Sequence, residues 1–201
     1  MVSTTADESA PRVGVVVPLR SFHDAKGRLR DALDGPARIE LMQNCARRVL
    51  ESAGHLDRAV VTSDDAVSEF ARHQGATVID DPGSLDGAAV AGVRWARSIG
   101  CERVVVVHAD LPFATTLAAL TEPGRASVAV VVPDQRDDGT PALSIPANSS
   151  FRFAYGPGSF ERHCAAAIAA NLELEIVRDG DLGFDIDLPA DLDAMVKRMH
   201  A

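Results

Sequence analysis

"RVVVVHADLP", residues 103–112, decides how this chain folds. Four consecutive valines carry no polar residue among them, so a strand built from them is apolar on both faces. Such a strand needs cover above and below, which is the situation of a central strand in a parallel sheet flanked by helices. The run ends at His108 and Asp110, with Leu111 and Pro112 fixing the backbone beyond. A carboxylate therefore stands at the carboxyl end of the strand, where open α/β sheets hold their ligands.

Working outward, three more apolar runs precede it: "VGVVV" (13–17), "RAVVTS" (58–63) and "ATVID" (76–80). Segments of helical period lie between them. In "PARIELMQNCARRVLESAG", Ile39, Met42, Ala46, Val49 and Ala53 fall on one helical face. Asp34 offers an N-cap, Pro36 suits the first turn and Gly54 closes the helix. A short helix is expected from near Asp64 to Gly75, and another in "GAAVAGVRWARSIG" up to Gly100. Strand–helix–strand repetition with doubly apolar strands predicts a three-layer α/β/α sandwich around a mostly parallel sheet. Beyond Pro112, "ASVAVVVP" and "GTPALSIP" are expected as strands of a mixed part of that sheet, separated by "DQRDDG". A helix from about Ser159 to Asn171, a strand in "LELEIVR" and a last helix with Pro189 in its first turn complete the pattern. With neither linker nor repeat, the expectation is one domain over 13–201 behind a disordered tail, 1–12.

Composition narrows the function. The 201 residues are 46% hydrophobic, enough for a substantial core, and 29 acidic against 20 basic residues leave a net charge of −9. A general binder of nucleic acid or of anionic membranes would need a basic face, so neither is expected as a partner. No apolar run approaches the roughly 18 residues that cross a bilayer. "MVSTTADESAPR" lacks the basic start and apolar middle of a secretion signal, and a cytoplasmic protein is expected. Cys45, Cys101 and Cys164 are far apart and form no CxxC pair, which speaks against zinc or a disulfide framework and for buried structural thiols.

Against this acidic background, "RSFHDAKGRLR" (20–30) gathers Arg20, Lys26, Arg28 and Arg30 just after the first strand. Lys26 and Arg28 flank Gly27, where a phosphate can approach backbone closely. The plain alternative is a solvated basic turn. Asp110 and Asp185 are candidate oxygen ligands for Mg²⁺, brought to one sheet edge from distant segments. Only one of Asp185 and Asp187 is expected to point inward, with Asp187 in reserve. The plain alternative for all three is helix capping. Thr140 and Ser159 offer hydroxyls to an anion, Ser159 near a helix start, where an N-cap role fits equally well. His163, one turn later, reads as a packing or surface histidine. No serine elbow and no GxGxxG motif occurs, which disfavours a serine hydrolase or a dinucleotide-binding dehydrogenase.

Taken in order, "PLRSFHDAKGRL", "HADLP", "DGTPAL", "FAYGPGSFERH" and "FDIDLPADL" resemble the 2-phospholactate and phosphoenolpyruvate guanylyltransferases of coenzyme F-420 biosynthesis. The resemblance runs from about residue 13 to the last helix. It implies a nucleotide-diphospho-sugar transferase-like fold and transfer of GMP from GTP to phosphoenolpyruvate or 2-phospho-L-lactate, with release of pyrophosphate. It also implies Lys26 and Arg28 on the triphosphate, Arg20 and Asp86 on the nucleotide side, and Mg²⁺ on Asp110 with Asp185 or Asp187. Thr140, Gly156 and Ser159 would hold the phosphorylated acid. Arg20 stands where the resemblance leads one to expect lysine, Asp86 where the family often has asparagine, and Pro141 where asparagine or another residue is more usual. Another acceptor (3-phosphoglycerate, a molybdopterin or a sugar phosphate) and a catalytically silent nucleotide-binding relative are the competing readings.

Overall fold

The valine-rich runs become neighbouring strands because each carries apolar side chains on both faces. The computed structural model describes residues 11–23, 27–122 and 124–200. In chain order these form β1 (Val13–Pro18), α1 (Gly35–Ser52), β2 (Asp57–Val61), α2 (Asp65–His73), β3 (Thr77–Ile79), α3 (Leu85–Ser98) and β4 (Arg103–Val107). A short α4 (Ala118–Thr121), β5 (Val128–Val132), β6 (Ala142–Pro146), α5 (Ser159–Ala169), β7 (Glu173–Ile176) and α6 (Pro189–Met199) follow. The seven strands make one sheet in the order β3-β2-β1-β4-β6-β5-β7. β1 runs parallel to both β2 and β4, whereas β6 runs antiparallel to both of its neighbours. The sheet is thus mixed and mostly parallel, as expected, within an α/β architecture.

Strand alternation divides the core. Val15 and Val17 of β1, with Val105 and Val107 of β4, meet Met42, Ala46 and Val49 of α1 and Val67 and Ala71 of α2. Val16, Val104 and Val106 point the other way, onto Ala89, Val93 and Ala96 of α3 and Ala167 of α5. All of these residues are at most 9% exposed. Burial of the valine runs on both faces is a large part of the driving force, since each fully buried valine contributes roughly 1.5–3 kcal/mol.

Local chemistry sets the helix starts. Asp34, Asp64 and Ser84 accept hydrogen bonds from the backbone N–H groups of Ala37, Val67 and Gly87, at 2.8, 3.0 and 3.0 Å. Arg12, assigned to the tail from sequence, is held in place: its carbonyl accepts from Glu102 N–H and its guanidinium pairs with Asp57. Residues 1–10 lie outside the described residues. Cys45 and Cys101 are buried as expected, but Cys164 is only half-buried. No helix among the described residues is long and apolar enough to cross a membrane.

One contact sets the distance between α3 and the sheet. A Cβ at Gly92 would lie 2.2 Å from Val16 Cγ1, on a strand backed by the opposite core. Gly92→Ala should therefore destabilise the protein by about 1–3 kcal/mol through overpacking, despite alanine's better helix propensity of about 1 kcal/mol. A lower urea midpoint with an unchanged slope would register this. An equal or higher midpoint would show that α3 can shift outward freely.

Candidate active site

The chain leaves β1, builds outward to β2 and β3, and returns on the other side of β1 as β4. Strand order therefore switches between β1 and β4, and a crevice opens at their carboxyl ends. After β1 the chain passes Leu19 and Arg20 and reaches a single 3-10 turn at Gly27–Leu29. Leu29 is fully buried with Cys45, Phe184 and Ile186, which pins the turn and leaves Arg28 exposed at the mouth of the crevice. Lys26 lies outside the described residues.

Two cavities meet here. One, of about 600 Å³, is lined by Leu19, Arg20, Gly27 and Arg28 on the side of the basic loop. The other, of about 370 Å³, is lined by Thr140, Tyr155, Gly156 and Ser159. Both are lined by Arg28, Leu85, His108, Asp110 and Asp187, so these residues form the boundary between them.

The carboxylates cluster at that boundary. Asp110, Asp185 and Asp187, all half-buried, offer oxygens that lie within 4.8 Å of one another. The expectation that only one of Asp185 and Asp187 faces inward is corrected. In extended backbone it is residues one apart that take opposite sides, whereas residues two apart share a side. Ile186, between them, goes to the core at 1% exposure, and its N–H reaches the carbonyl of Asp110 at 3.4 Å. Capping of the following helix falls to Asp191, whose Oδ2 accepts from the N–H groups of Asp187 and Leu188 at 2.9 and 2.7 Å. Burial alone would raise the Asp191 carboxyl, but those two N–H bonds and its pair with Arg136 hold it below the ordinary value. Three carboxylates this close repel one another unless a cation lies between them. Their hard oxygen donors, open to a cavity with room for phosphate and water, suit Mg²⁺.

Arg20 Nε pairs with Asp81 Oδ2 at 2.9 Å, and Asp81 Oδ1 accepts from Gly83 N–H at 2.8 Å. This joins the loop after β1 to the loop that begins α3. Asp86 turns toward the other cavity's wall, where its Oδ1 accepts from the N–H of Tyr155 at 2.7 Å. On that side the turn after β5 folds around Asp134, whose carboxylate accepts from the N–H groups of Arg136, Asp138 and Gly139. Asp138 in turn accepts from Gly158 N–H at 2.9 Å. Gly158, at φ +70°, is the N-cap of α5, so Ser159 is the first helical residue and not its cap. Its hydroxyl lies 3.4 Å from that of Thr140. His163 is fully buried against Thr140, and burial lowers its imidazole to about 4, so it is neutral at physiological pH.

The structure thus places Arg20 on one cavity, Thr140, Gly156 and Ser159 on the other, and Arg28 with Asp110 and Asp187 on both, with Asp185 completing the carboxylate cluster from the smaller cavity's side. Sequence reasoning missed the supports: Asp134, Asp138, Tyr155 and Asp191. Asp191 carried one local signal, an acidic residue in the first turn of a helix that opens with Pro189. Asp134 opens the turn whose N–H groups donate to it, which is the local signal an aspartate gives, whereas Asp138 and Tyr155 had none, because their partners Gly158 and Asp86 are distant in the chain.

This is the frame of a nucleotidyltransferase: an α/β sheet whose switch point holds a carboxylate cluster between two ligand cavities. The fold is similar to that of a protein of Desulfovibrio desulfuricans assigned as a nucleotide-diphospho-sugar transferase, with a TM-score of 0.76 at 15% identity over 92% of this chain and 87% of the other. It is also similar to glucosyl-3-phosphoglycerate synthase of Mycobacterium tuberculosis, solved with Mg²⁺ and uridine diphosphate, with a TM-score of 0.57 at 14% identity over 92% and 74%. The family of guanylyl transferase CofC-like proteins matches residues 13–200, and the chain belongs to that family. It is 35% identical to the phosphoenolpyruvate guanylyltransferase of Rubrobacter xylanophilus over 187 residues, 90% of this chain and 91% of the relative.

Proposed function

We propose that this protein joins the guanylyl group of GTP to phosphoenolpyruvate with release of pyrophosphate, a reaction of coenzyme F-420 biosynthesis, and that it does so in the cytoplasm, where both substrates are made. The observation that carries this reading is the pair of cavities that meet at the aspartate cluster. A reaction between two phosphorylated substrates needs two pockets sharing one charged boundary, so that an acceptor oxygen can face the phosphorus it attacks. The relatives' shared name supports phosphoenolpyruvate as acceptor.

In this reading the larger cavity takes the nucleotide, with Arg28 and Lys26 on the triphosphate and Arg20 on the same side, whereas Asp86, expected on the nucleotide from sequence, braces the wall of the smaller cavity through Tyr155. The smaller takes the acid on Thr140, Gly156 and Ser159. A phosphate oxygen of phosphoenolpyruvate forms a bond to the α-phosphorus of GTP, and the bond from that phosphorus to the bridging oxygen breaks. The bridging oxygen leaves with pyrophosphate. Asp110, Asp185 and Asp187 would hold Mg²⁺, which supplies neutralisation of the charge on the reacting phosphates. Arg28, at the boundary, stabilises the departing pyrophosphate through charge-assisted hydrogen bonds, and the buried wall of the smaller cavity keeps the acid oriented.

The direct test is pyrophosphate release from GTP with a panel of three-carbon phosphoacids, with the product identified by mass. Release that requires phosphoenolpyruvate is the expected result, and indifference to every acid would sink the reading. Ser159→Ala separates the cavities. It should raise the Michaelis constant for phosphoenolpyruvate by about tenfold, because the Ser159 hydroxyl, given to Thr140, helps hold that residue toward the acid, and leave that for GTP unchanged. A raised constant for GTP alone would move Ser159 to the nucleotide side.

A further inference from the structure

His163 lies on α5 behind the smaller cavity, fully buried, and both of its ring nitrogens are engaged. The N–H of Ala154 reaches Nε2 at 3.0 Å. A backbone N–H can only donate, so Nε2 must be the acceptor. A neutral imidazole has one N–H, which is therefore on Nδ1. Nδ1 faces the hydroxyl oxygen of Thr140 at 3.0 Å, and that oxygen accepts. The hydroxyl of Ser159 donates to the same oxygen from 3.4 Å. Two donors occupy both lone pairs of the Thr140 hydroxyl, so its own proton must be given elsewhere.

Thr140 is 1% exposed and the little it shows lines the smaller cavity. We propose that His163 is a positioning residue that holds Thr140 as a hydrogen-bond donor toward an anionic oxygen of the acceptor acid, an inference that rests on reading the smaller cavity as the acid's site. A free hydroxyl can turn to accept or donate, and a water can take either part. Thr140, loaded with two donors, can only donate, which favours phosphate or carboxylate over any ligand presenting a donor. The same imidazole fixes Ala154, two residues before Gly156, so one buried side chain sets both the hydroxyl and the backbone of the wall. The rings of Phe151, Phe153 and Tyr155 pack around it, with centroids 5.8, 6.5 and 4.7 Å away, and keep the relay dry, where such a chain is strongest.

Five variants test the link by steady-state kinetics with phosphoenolpyruvate and GTP varied in turn. Thr140→Val and His163→Phe should each raise the Michaelis constant for phosphoenolpyruvate about tenfold and leave that for GTP unchanged. The double variant Thr140→Val/His163→Gln, which still serves Ala154, should be no worse than Thr140→Val alone, because both changes remove one relay. His163→Asn places its amide N–H near the position of Nδ1 and should recover most of the affinity. His163→Gln reaches the position of Nε2, serves Ala154 and should not. If Thr140→Val leaves phosphoenolpyruvate unaffected, the cavity assignment fails and the proposal with it. If Thr140→Val acts but the double variant is additive, or His163→Gln recovers as well as His163→Asn, the histidine merely packs and the proposal alone is overturned. Nitrogen-15 NMR of the unmodified protein gives an answer independent of how the variants fold. The His163 proton should be on Nδ1 and its signal should move when phosphoenolpyruvate is added, whereas a proton on Nε2 would overturn the relay.

Discussion

Replacing Asp110 with asparagine should lower the rate of guanylyl transfer by about a thousandfold, since charge neutralisation at a reacting phosphate is worth several kcal/mol of barrier. The fold should survive. Asparagine has nearly the same shape, and the residue is half-buried just beyond β4, so the change disturbs little packing. Pyrophosphate release measures the rate. Thermal unfolding with and without Mg²⁺ separates the causes: the cation should raise the melting temperature of the unmodified protein and leave that of Asp110→Asn unchanged. A variant retaining more than a tenth of the activity would show that the cluster is structural. Asp185→Asn and Asp187→Asn belong to the same experiment, because the structure draws both into the cluster.

Arg28→Ala should lower kcat/KM for GTP by about a hundredfold, the usual effect of removing one charge-stabilising donor aimed at the reacting centre. Stability should hardly change. Arg28 is exposed, and the turn that carries it is anchored by its buried neighbour Leu29. Arg28→Lys should recover part of the loss, since it keeps the charge and forfeits the two-pronged geometry. Because Arg28 lines both cavities, the experiment also assigns it. A loss confined to the Michaelis constant for phosphoenolpyruvate would place it on the acid. Lys26, its partner in the basic loop, carries the same assignment on sequence grounds.

The site is held by bonds between segments that are far apart in the chain. Asp86 reaches Tyr155, 69 residues away, and His163 reaches Thr140 across 23. This organisation would absorb the departures that the resemblance implies at Asp86, Pro141 and Arg20. Asp86, where asparagine is frequent, makes its bond to Tyr155 through one oxygen, which either side chain possesses. Pro141 stands beside β6 with its carbonyl accepting from His108 N–H at 2.8 Å, a bond that needs no side chain. Arg20 keeps the positive charge of the more usual lysine and uses it on Asp81.

Sequence by itself determined the elements and their class. Runs such as 103–107 specify strands covered on both faces, because alternation leaves no polar face to present to water. Asp34 and Asp64 announced the helix starts they cap, since capping is satisfied within three residues. The basic loop and the aspartates stood out in the sequence by residue type and by their places after β1, after β4 and before the last helix, as candidates only. Only the tertiary structure decided that β6 runs against its neighbours, that Asp185 and Asp187 both join Asp110, and that a histidine read as packing grips the threonine of the smaller cavity. A strand's direction and the meeting of loops depend on pairings between residues tens of positions apart. No local propensity encodes those pairings; they follow from which apolar faces the whole chain can bury together.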